Sequence, residues 1–201
     1  MYKSNYGKFS DSTVTPSEII FTLNNNNVLC YASALAEHGV SHNILNIKPF
    51  YSEQNIKDFS YLGMVYKCMP MPKNVDTQLL NPLDLQIQTT SREQTIIDCI
   101  KKPQLAGGFE NVVRSVTSFS YIDTEKLIKL LNDESIATVA KIGWLLELNK
   151  DNWNIDNSLI NKINNRLGTG PYKFPNLNNY FWNKTWKLFL PTSREEIAQW
   201  L

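Results

Sequence analysis

The sequence predicts an α+β fold, in which a small and mostly antiparallel sheet packs against a helical array and an aromatic-rich strand lies near the C-terminus. Short runs of strand-forming residues occur between positions 44 and 89. Apolar residues recur at helical spacing through positions 90–167, and aromatic residues are dense between positions 172 and 189. We expect an N-terminal polar segment with a short helix, residues 1–27, followed by one main domain, residues 28–201.

Composition limits the classes of protein to consider. A chain of 201 residues that is 42% hydrophobic can bury a substantial core. A net charge of +1 argues against wholesale electrostatic binding to nucleic acid or anionic membranes, so such binding would need a local patch. No apolar run reaches the length of a membrane span, and the N-terminus lacks a signal-peptide core. The widely spaced Cys30, Cys68 and Cys99 indicate a reducing compartment, so we expect a soluble cytoplasmic protein without a membrane partner.

The N-terminal segment carries a clear helix signal after about 12 polar residues that we expect to be loosely ordered. Thr15 is a suitable N-cap, Pro16 suits the first helical position, and Glu18 stands at the capping-box position. The helix is predicted to end before the run of asparagines at positions 24–27, because asparagine favours turns over helix interiors.

The first part of the main domain is predicted to contain most of the sheet. Residues 28–40 indicate a brief strand and then a small-residue helix that ends at Gly39. Strands are predicted at positions 47–51, 64–69 and 85–89.

Residues 90–116 predict two helices joined at a tight corner. Thr90 is predicted to cap the first helix, with Glu93 completing a capping box. Pro103 ends that helix, and the Gly107-Gly108 pair allows the turn into the next one. The predicted core residues of this corner are Ile96, Ile97, Ile100, Leu105 and Phe109.

Helices continue through the following fifty residues. Asp123 can cap one helix, and a second is expected from about residue 134 to residue 148. A third is predicted to begin at Asp156 or Asn157 and to close at Gly168.

The C-terminal part is predicted to be different in character. Residues 169–172 are predicted to form a turn, and residues 180–191 are predicted to form an aromatic-rich strand. Ser193 and Glu196 make a second capping box, which is predicted to open a short last helix.

A family resemblance is carried by separate segments in the same order. Residues 90–116, TSREQTIIDCIKKPQLAGGFENVVRSV, resemble the pattern TPERALLDALxRPxLAGGLEEVxxAL of AbiEi-type antitoxins of bacterial type IV toxin–antitoxin systems. Residues 31–39 are similar to the family's YISxxSALxxHGL segment, and residues 140–148, AKIGWLLEL, to its xRLGYLLEL segment. An aromatic strand that ends in Asn or Pro closes the family pattern, as Pro191 does here. Together the resemblance spans roughly residues 28–191.

The resemblance implies a function in regulation. The main domain resembles the family's C-terminal antitoxin domain, which counteracts a nucleotidyltransferase-type toxin in abortive infection, a form of phage defence. Family members commonly begin with a winged helix-turn-helix that binds their own operator. About 27 residues precede the matching region here, fewer than a winged helix needs. We therefore expect a naturally short antitoxin-like protein or the C-terminal part of a longer one, and we do not transfer operator binding.

Catalytic and metal-binding constellations have little support in the sequence. His38 and His42 are four residues apart, a spacing that could place two metal ligands on one helix. Gly39 between them is predicted to end the helix, which favours a capping or hydrogen-bonding histidine over a metal ligand. Gly107-Gly108 lacks the lysine of a phosphate-binding loop. We predict a protein that is not an enzyme, with no catalytic, metal or cofactor-binding residues and no cofactor.

One uneven charge distribution suggests a second function. Residues 157–194 contain basic side chains and no Asp or Glu, with aromatic residues interleaved. Such a patch can bind phosphates and stack bases, which would make the chain a nucleic-acid-binding transcriptional regulator with DNA or RNA as its partner. The alternative is that the aromatics fill the core and the lysines solvate strand edges. The predicted nucleic-acid-binding residues are Lys162, Arg166, Lys173, Lys184 and Lys187.

Two charged residues of the first helix in the corner are candidates for contact with a protein partner. Arg92 and Asp98 either face that partner or form a solvated, locally paired surface. The partner implied by the family is the nucleotidyltransferase-type toxin, with or without direct contact.

Overall fold

The computed structural model describes residues 14–80, 85–174 and 181–201. It confirms the α+β class, with a six-stranded sheet, a second three-stranded sheet and a helical array. The expectations for residues 1–12 and for Tyr180 lie outside the described residues.

The larger sheet is mixed, with strand order β3-β4-β2-β1-β6-β5. Three neighbouring pairs are antiparallel, whereas β2 with β4 and β1 with β6 are parallel. The antiparallel majority was predicted, but the parallel pairs and the strands β3 and β5 were not. The strands are β1 Val28–Leu29, β2 Ile47–Ser52, β3 Phe59–Tyr61, β4 Met64–Pro70, β5 Thr77–Leu80 and β6 Ile87–Thr90.

The smaller sheet contains β7 Tyr172–Lys173, β8 Phe181–Asn183 and β9 Leu188–Leu190, in the order β7-β9-β8. The single strand predicted over residues 180–191 is therefore wrong in one respect, because β8 and β9 form an antiparallel hairpin. Its turn is closed by the backbone N–H of Trp186, which donates to Asn183 Oδ1 at 3.0 Å.

Eight α-helices occur in the described ranges. They are α1 Pro16–Leu23, α2 Tyr31–Glu37, α3 Arg92–Lys101, α4 Phe109–Thr117, α5 Thr124–Leu130, α6 Ile136–Leu148, α7 Asn157–Asn164 and α8 Arg194–Ala198. Short 3₁₀ turns follow α3 and α5, at Pro103–Ala106 and Leu131–Asp133. None of these helices is long and apolar enough to cross a membrane.

Several predicted helix starts are confirmed. Thr15 and Glu18 form the reciprocal capping box of α1. Asp123, Asp156 and Ser193 each accept a backbone N–H at the start of α5, α7 and α8, respectively. These caps are readable from sequence because each joins residues two or three positions apart.

The predicted cap of α3 is wrong by one residue. Thr90 is the last residue of β6, and its hydroxyl lies 2.7 Å from that of Thr95. Ser91 is the N-cap and accepts the backbone N–H of Gln94 at 3.2 Å. The Glu93 carboxylate does not reach back to the cap, because it accepts the backbone N–H of Asp123 at 2.8 Å. A contact across thirty residues has replaced the local capping box.

The end of α7 also differs from the prediction. The helix ends at Asn164, with Asn165 as the C-cap, four residues before Gly168. Beyond the helix end, the Arg166 guanidinium donates to the carbonyl of Leu131, in the 3₁₀ turn after α5, at 2.9 Å.

The predicted corner between α3 and α4 is confirmed. The helix stops at Lys101, and Gly107 and Gly108 have φ values of +84° and +96°, which residues with a Cβ rarely adopt. Of the predicted core residues, Phe109 is half-buried and packs against the core, and the other four are buried.

The larger sheet carries an apolar cluster on each face. The main core contains Val28, Tyr51 and the buried residues of the helical array. Leu29 and Phe50, the next residues along the same strands, point to the opposite face. There they pack with Ile20 of α1, so α1 of the N-terminal segment covers the second face of the sheet.

Candidate functional site

A cavity of about 390 Å³ lies where the larger sheet meets α3 and α5. We call it the Asp98 cavity, because the carboxyl of Asp98 forms part of its wall. The hydroxyl-bearing Tyr31 and Tyr51, from the start of α2 and from β2, line it with Ile97 and with Met69 at the end of β4.

Asp98 is buried in an unusual way for a carboxyl group. Its side chain is on α3, and the residue is only 3% exposed. Gln94 Nε2 donates to Asp98 Oδ1 at 2.9 Å, whereas Oδ2 has no hydrogen-bond partner among the described atoms. Burial raises the pKa of the Asp98 carboxyl to about 6, and the side chains of Gln94 and Tyr51 oppose that rise. The carboxyl therefore lacks the full set of donors that buried acids usually have.

The two tyrosines beside Asp98 form a pair of hydroxyl groups in the cavity wall. The Tyr51 hydroxyl donates to the Tyr31 hydroxyl at 3.1 Å, and the ring centroids are 5.8 Å apart. Burial raises the pKa of both phenols above their ordinary value, so both stay protonated near neutral pH.

Tyr31 reaches this position with a strained backbone. Its φ is +48°, a left-handed value that is costly for a residue with a Cβ, at roughly 1–3 kcal/mol. The strain occurs at the junction between β1 and α2, where the chain turns sharply from strand to helix. The turn directs the Tyr31 ring toward Tyr51 and the cavity.

The rim of the cavity carries charges of both signs. Lys101 pairs with Glu134 at 2.7 Å, and both residues line the cavity. Lys102 and Lys129 are exposed on the same rim, together with Asp133. Neither Lys102 nor Lys129 forms a salt bridge within the described ranges.

The structure separates the two residues predicted to contact a protein partner. Asp98 is 3% exposed in the cavity wall, so both surface positions predicted for it, facing a partner or solvated and locally paired, are wrong. Arg92 lies at the start of α3, where its guanidinium sits 4.3 Å above the ring centroid of Tyr121. Tyr121 is 61% exposed, whereas Arg92 is half-buried and its Nη1 is buried without a hydrogen-bond partner among the described atoms, so the stacked pair presents mainly the tyrosine ring to the surface.

The predicted nucleic-acid-binding residues also divide into two groups. Lys162, Lys173 and Lys184 are exposed. Arg166 is half-buried and donates to the Leu131 carbonyl, and Lys187 is half-buried with its ammonium 2.7 Å from the Gly168 carbonyl. The last two cations are therefore used to hold chain segments together.

The aromatic residues of the C-terminal region divide in the same way. Phe174 and Trp186 are fully buried in the main core, as the core-packing alternative predicted. Phe181 and Trp182 of β8 are 46% and 50% exposed. They line a second cavity of about 610 Å³ together with Lys184.

The two histidines do not converge on a common point. His38 Nε2 lies 2.9 Å from the Thr90 carbonyl, and burial lowers its pKa. His42 is exposed, and its backbone N–H donates to Ser115 Oγ at 3.0 Å. The hydrogen-bonding role predicted for His38 is thus confirmed. Across the described residues there is no group of three or more His, Cys, Asp or Glu side chains placed to hold a metal ion.

Sequence reasoning missed the tyrosines of the Asp98 cavity. Tyr31 belongs to residues 31–39, one of the segments that resemble the family. No pattern in the neighbouring sequence indicates that its hydroxyl contacts that of Tyr51. The available signal was the preference of buried tyrosines for a hydrogen-bond partner, which does not say where the partner is.

Comparison with known proteins gives a fold likeness. No protein-family model and no curated protein match the sequence. A crystal structure of the RV2827C protein from Mycobacterium tuberculosis matches with a TM-score of 0.62 and 13% sequence identity. The match covers 87% of this chain and 66% of that one, so this chain spans somewhat less than two thirds of its neighbour's length.

Proposed function

We propose that this chain is a cytoplasmic, non-enzymatic antitoxin-like domain that counteracts a nucleotidyltransferase-type toxin of a bacterial type IV toxin–antitoxin system. The observation that carries the proposal is that the segments resembling AbiEi-type antitoxins share one hydrophobic core.

Each segment contributes buried residues to that core. Leu35 comes from the first segment, and Ile96 and Val112 come from the corner segment. Leu145 of the third segment and Leu188 of the closing strand belong to the same cluster. The spacing that resembles the family therefore coincides with positions of one hydrophobic cluster in this chain.

The stacked Arg92–Tyr121 pair is the surface that we assign to toxin contact. Arginine and tyrosine are enriched among residues that dominate binding energy at protein interfaces. Stacking on the ring also restricts the Arg92 side chain before binding, which lowers the entropy lost on association. The neighbouring ion pair between Lys126 and Asp76, 2.6 Å apart, fixes the adjacent surface between α5 and the chain before β5.

Co-expression with a nucleotidyltransferase encoded beside this chain's gene tests the proposal. The full chain is expected to relieve the growth arrest that the nucleotidyltransferase causes. The double variant Arg92→Ala, Tyr121→Ala should relieve it less at equal protein levels, and the exposed control Lys57→Ala, Leu79→Ala should behave as the unchanged chain. Failure of the folded, expressed chain to relieve growth arrest would refute the antitoxin function. Full activity of the double variant would refute only the contact surface.

A second candidate function is supported by the exposed aromatic side chains of β8. Phe181 and Trp182 are about half exposed and line one cavity with the exposed Lys184, and the Trp182 ring also packs against Phe189, with the ring centroids 4.9 Å apart. Exposed aromatic rings beside a lysine can stack bases and attract phosphates. This surface would bind single-stranded DNA or RNA, and its affinity would fall with rising salt.

Fluorescence anisotropy with labelled single-stranded oligonucleotides tests this second function. Trp182→Ala should weaken binding by roughly 5- to 100-fold, the effect of losing one stacked base. Lys184→Glu should weaken it further at low salt, while Lys57→Glu makes the same charge change elsewhere and should have little effect. Lys187 is unsuitable for this test because its ammonium holds the Gly168 carbonyl. Binding that is equal in all variants would exclude this surface.

A further inference from the structure

We propose that the Asp98 cavity binds a small anionic molecule with a flat apolar body and an N–H donor, the chemistry of a nucleoside monophosphate. The N–H group would donate to the Asp98 carboxylate and the anionic group would face Lys102 and Lys129. The assignment does not depend on the antitoxin function.

The first argument is the incomplete hydrogen bonding of Asp98. A buried polar atom without a partner costs about 1–3 kcal/mol, and more when the group is charged. Oδ2 of Asp98 has no hydrogen-bond partner among the described atoms, and no Lys or Arg there forms a salt bridge with the carboxyl. The Tyr51 hydroxyl lowers the pKa of the carboxyl, but its proton is donated to the Tyr31 hydroxyl. Since only Oδ1 is hydrogen-bonded within the described part of the protein, a donor supplied from the cavity would complete the hydrogen bonding of the carboxyl.

The second argument is independent of the carboxyl. Tyr31 adopts its left-handed backbone at the wall of the same cavity. Strained residues of this kind cluster at ligand sites, where the strain holds a side chain in position before the ligand arrives. Here the positioned group is a hydroxyl, paired with that of Tyr51, which can donate to or accept from a ligand.

The size and lining of the cavity select the class of ligand. Its volume of about 390 Å³ falls within the range of small-molecule pockets, roughly 300–1,000 Å³. Met69, Pro70 and Ile97 supply apolar surface for a flat ring, and the tyrosine rings add aromatic surface. The lysines on the rim, Lys102 and Lys129, attract an anionic group. The rim also carries Asp133 and Glu134, and Glu134 is paired with Lys101. The carboxylate inside and the two rim lysines that form no salt bridge within the described ranges match a base N–H and a phosphate at opposite ends of one molecule.

Calorimetric titration of the full chain with the four nucleoside 5′-monophosphates tests the proposal. At least one is expected to bind with a dissociation constant in the millimolar range or tighter, and inorganic phosphate should bind at least ten-fold more weakly. Asp98→Asn replaces Oδ2 with an amide NH₂ group, so that two hydrogen-bond donors would face each other. This variant should weaken binding at least ten-fold.

Variants of the rim lysines provide a second test, because a loss of binding in Asp98→Asn could also come from a folding defect. Lys102→Ala with Lys129→Ala changes only exposed residues, and it should weaken binding of the monophosphate but not of the corresponding nucleoside. Lys57→Ala should leave binding unchanged. The proposal is overturned if none of the four monophosphates binds at millimolar concentration, if phosphate binds as tightly as the monophosphates, or if binding persists unchanged in both cavity variants.

Discussion

Gly143→Ala is expected to lower the free energy of unfolding by about 3 kcal/mol, at or above the upper end of the usual 1–3 kcal/mol for overpacking a core. A Cβ at position 143 would lie 2.6 Å from Cε3 of Trp186 and closer still to Cζ3 and Cη2. The ring has little freedom to move, because Trp186 is fully buried and its Nε1 donates to Glu147 Oε2 at 2.7 Å. The added methyl group must therefore displace α6 from the C-terminal hairpin.

Chemical denaturation followed by circular dichroism measures the effect, and the melting temperature should fall by roughly 6–12 °C for a chain of this size. Gly168→Ala is the matched control, since its Cβ would lie 3.3 Å from the Tyr172 hydroxyl, a contact that a small shift relieves. Combining Gly143→Ala with Trp186→Leu should reduce the additional loss caused by the alanine. A Gly143→Ala protein as stable as the unchanged chain would disprove the close packing of α6 and Trp186.

Asp98→Asn is expected to raise the stability of the protein at pH 7–8 and to remove part of its pH dependence. The pKa of the Asp98 carboxyl is raised from 3.8 to about 6 in the folded state, so the native protein binds the proton more tightly than the unfolded chain. Stability from this group is therefore greatest below pH 4 and is lost as pH rises to about 6. A shift of about two units corresponds to roughly 3 kcal/mol, which is an upper estimate of the gain in the asparagine variant.

Denaturation curves of both proteins between pH 4 and pH 8 provide the measurement. The difference in free energy of unfolding should grow with pH and level off near pH 7. Asp133→Asn removes the same charge from the exposed rim of the cavity and should leave the difference near zero. Parallel pH profiles for Asp98→Asn and the unchanged chain would show that the carboxyl is not buried as described. Residues that bind a ligand often lower the stability of the folded protein, so replacing them can be stabilising. A gain in stability on replacing Asp98 would therefore agree with a role for this residue in binding.

Helix starts and tight turns could be predicted from the sequence because their causes are local. Thr15, Asp123 and Asp156 accept backbone N–H groups two or three residues away, so the interacting atoms are specified by neighbouring positions. Gly107 and Gly108 similarly mark a turn through their own backbone angles. Glu93 is the exception, because its carboxylate accepts the backbone N–H of the distant Asp123 and does not complete a capping box at the start of α3.

Features of the candidate site could be predicted only in part. Asp98 was identified as a charged residue of interest, but its burial depends on which elements cover α3. The basic residues of the C-terminal region were identified by composition. Whether each was available to a ligand depended on distant carbonyl groups, such as those that engage Arg166 and Lys187.

The sequence by itself determined the α+β class, most helix boundaries and the apolar faces, since periodicity and capping act over a few residues. Only the tertiary structure decided the parallel pairing of β2 with β4 and the contact between Gly143 and Trp186. It also brought Tyr31, Tyr51 and Asp98 to one cavity. These contacts join residues far apart in the chain, and their geometry follows from how whole elements pack, which no local pattern encodes.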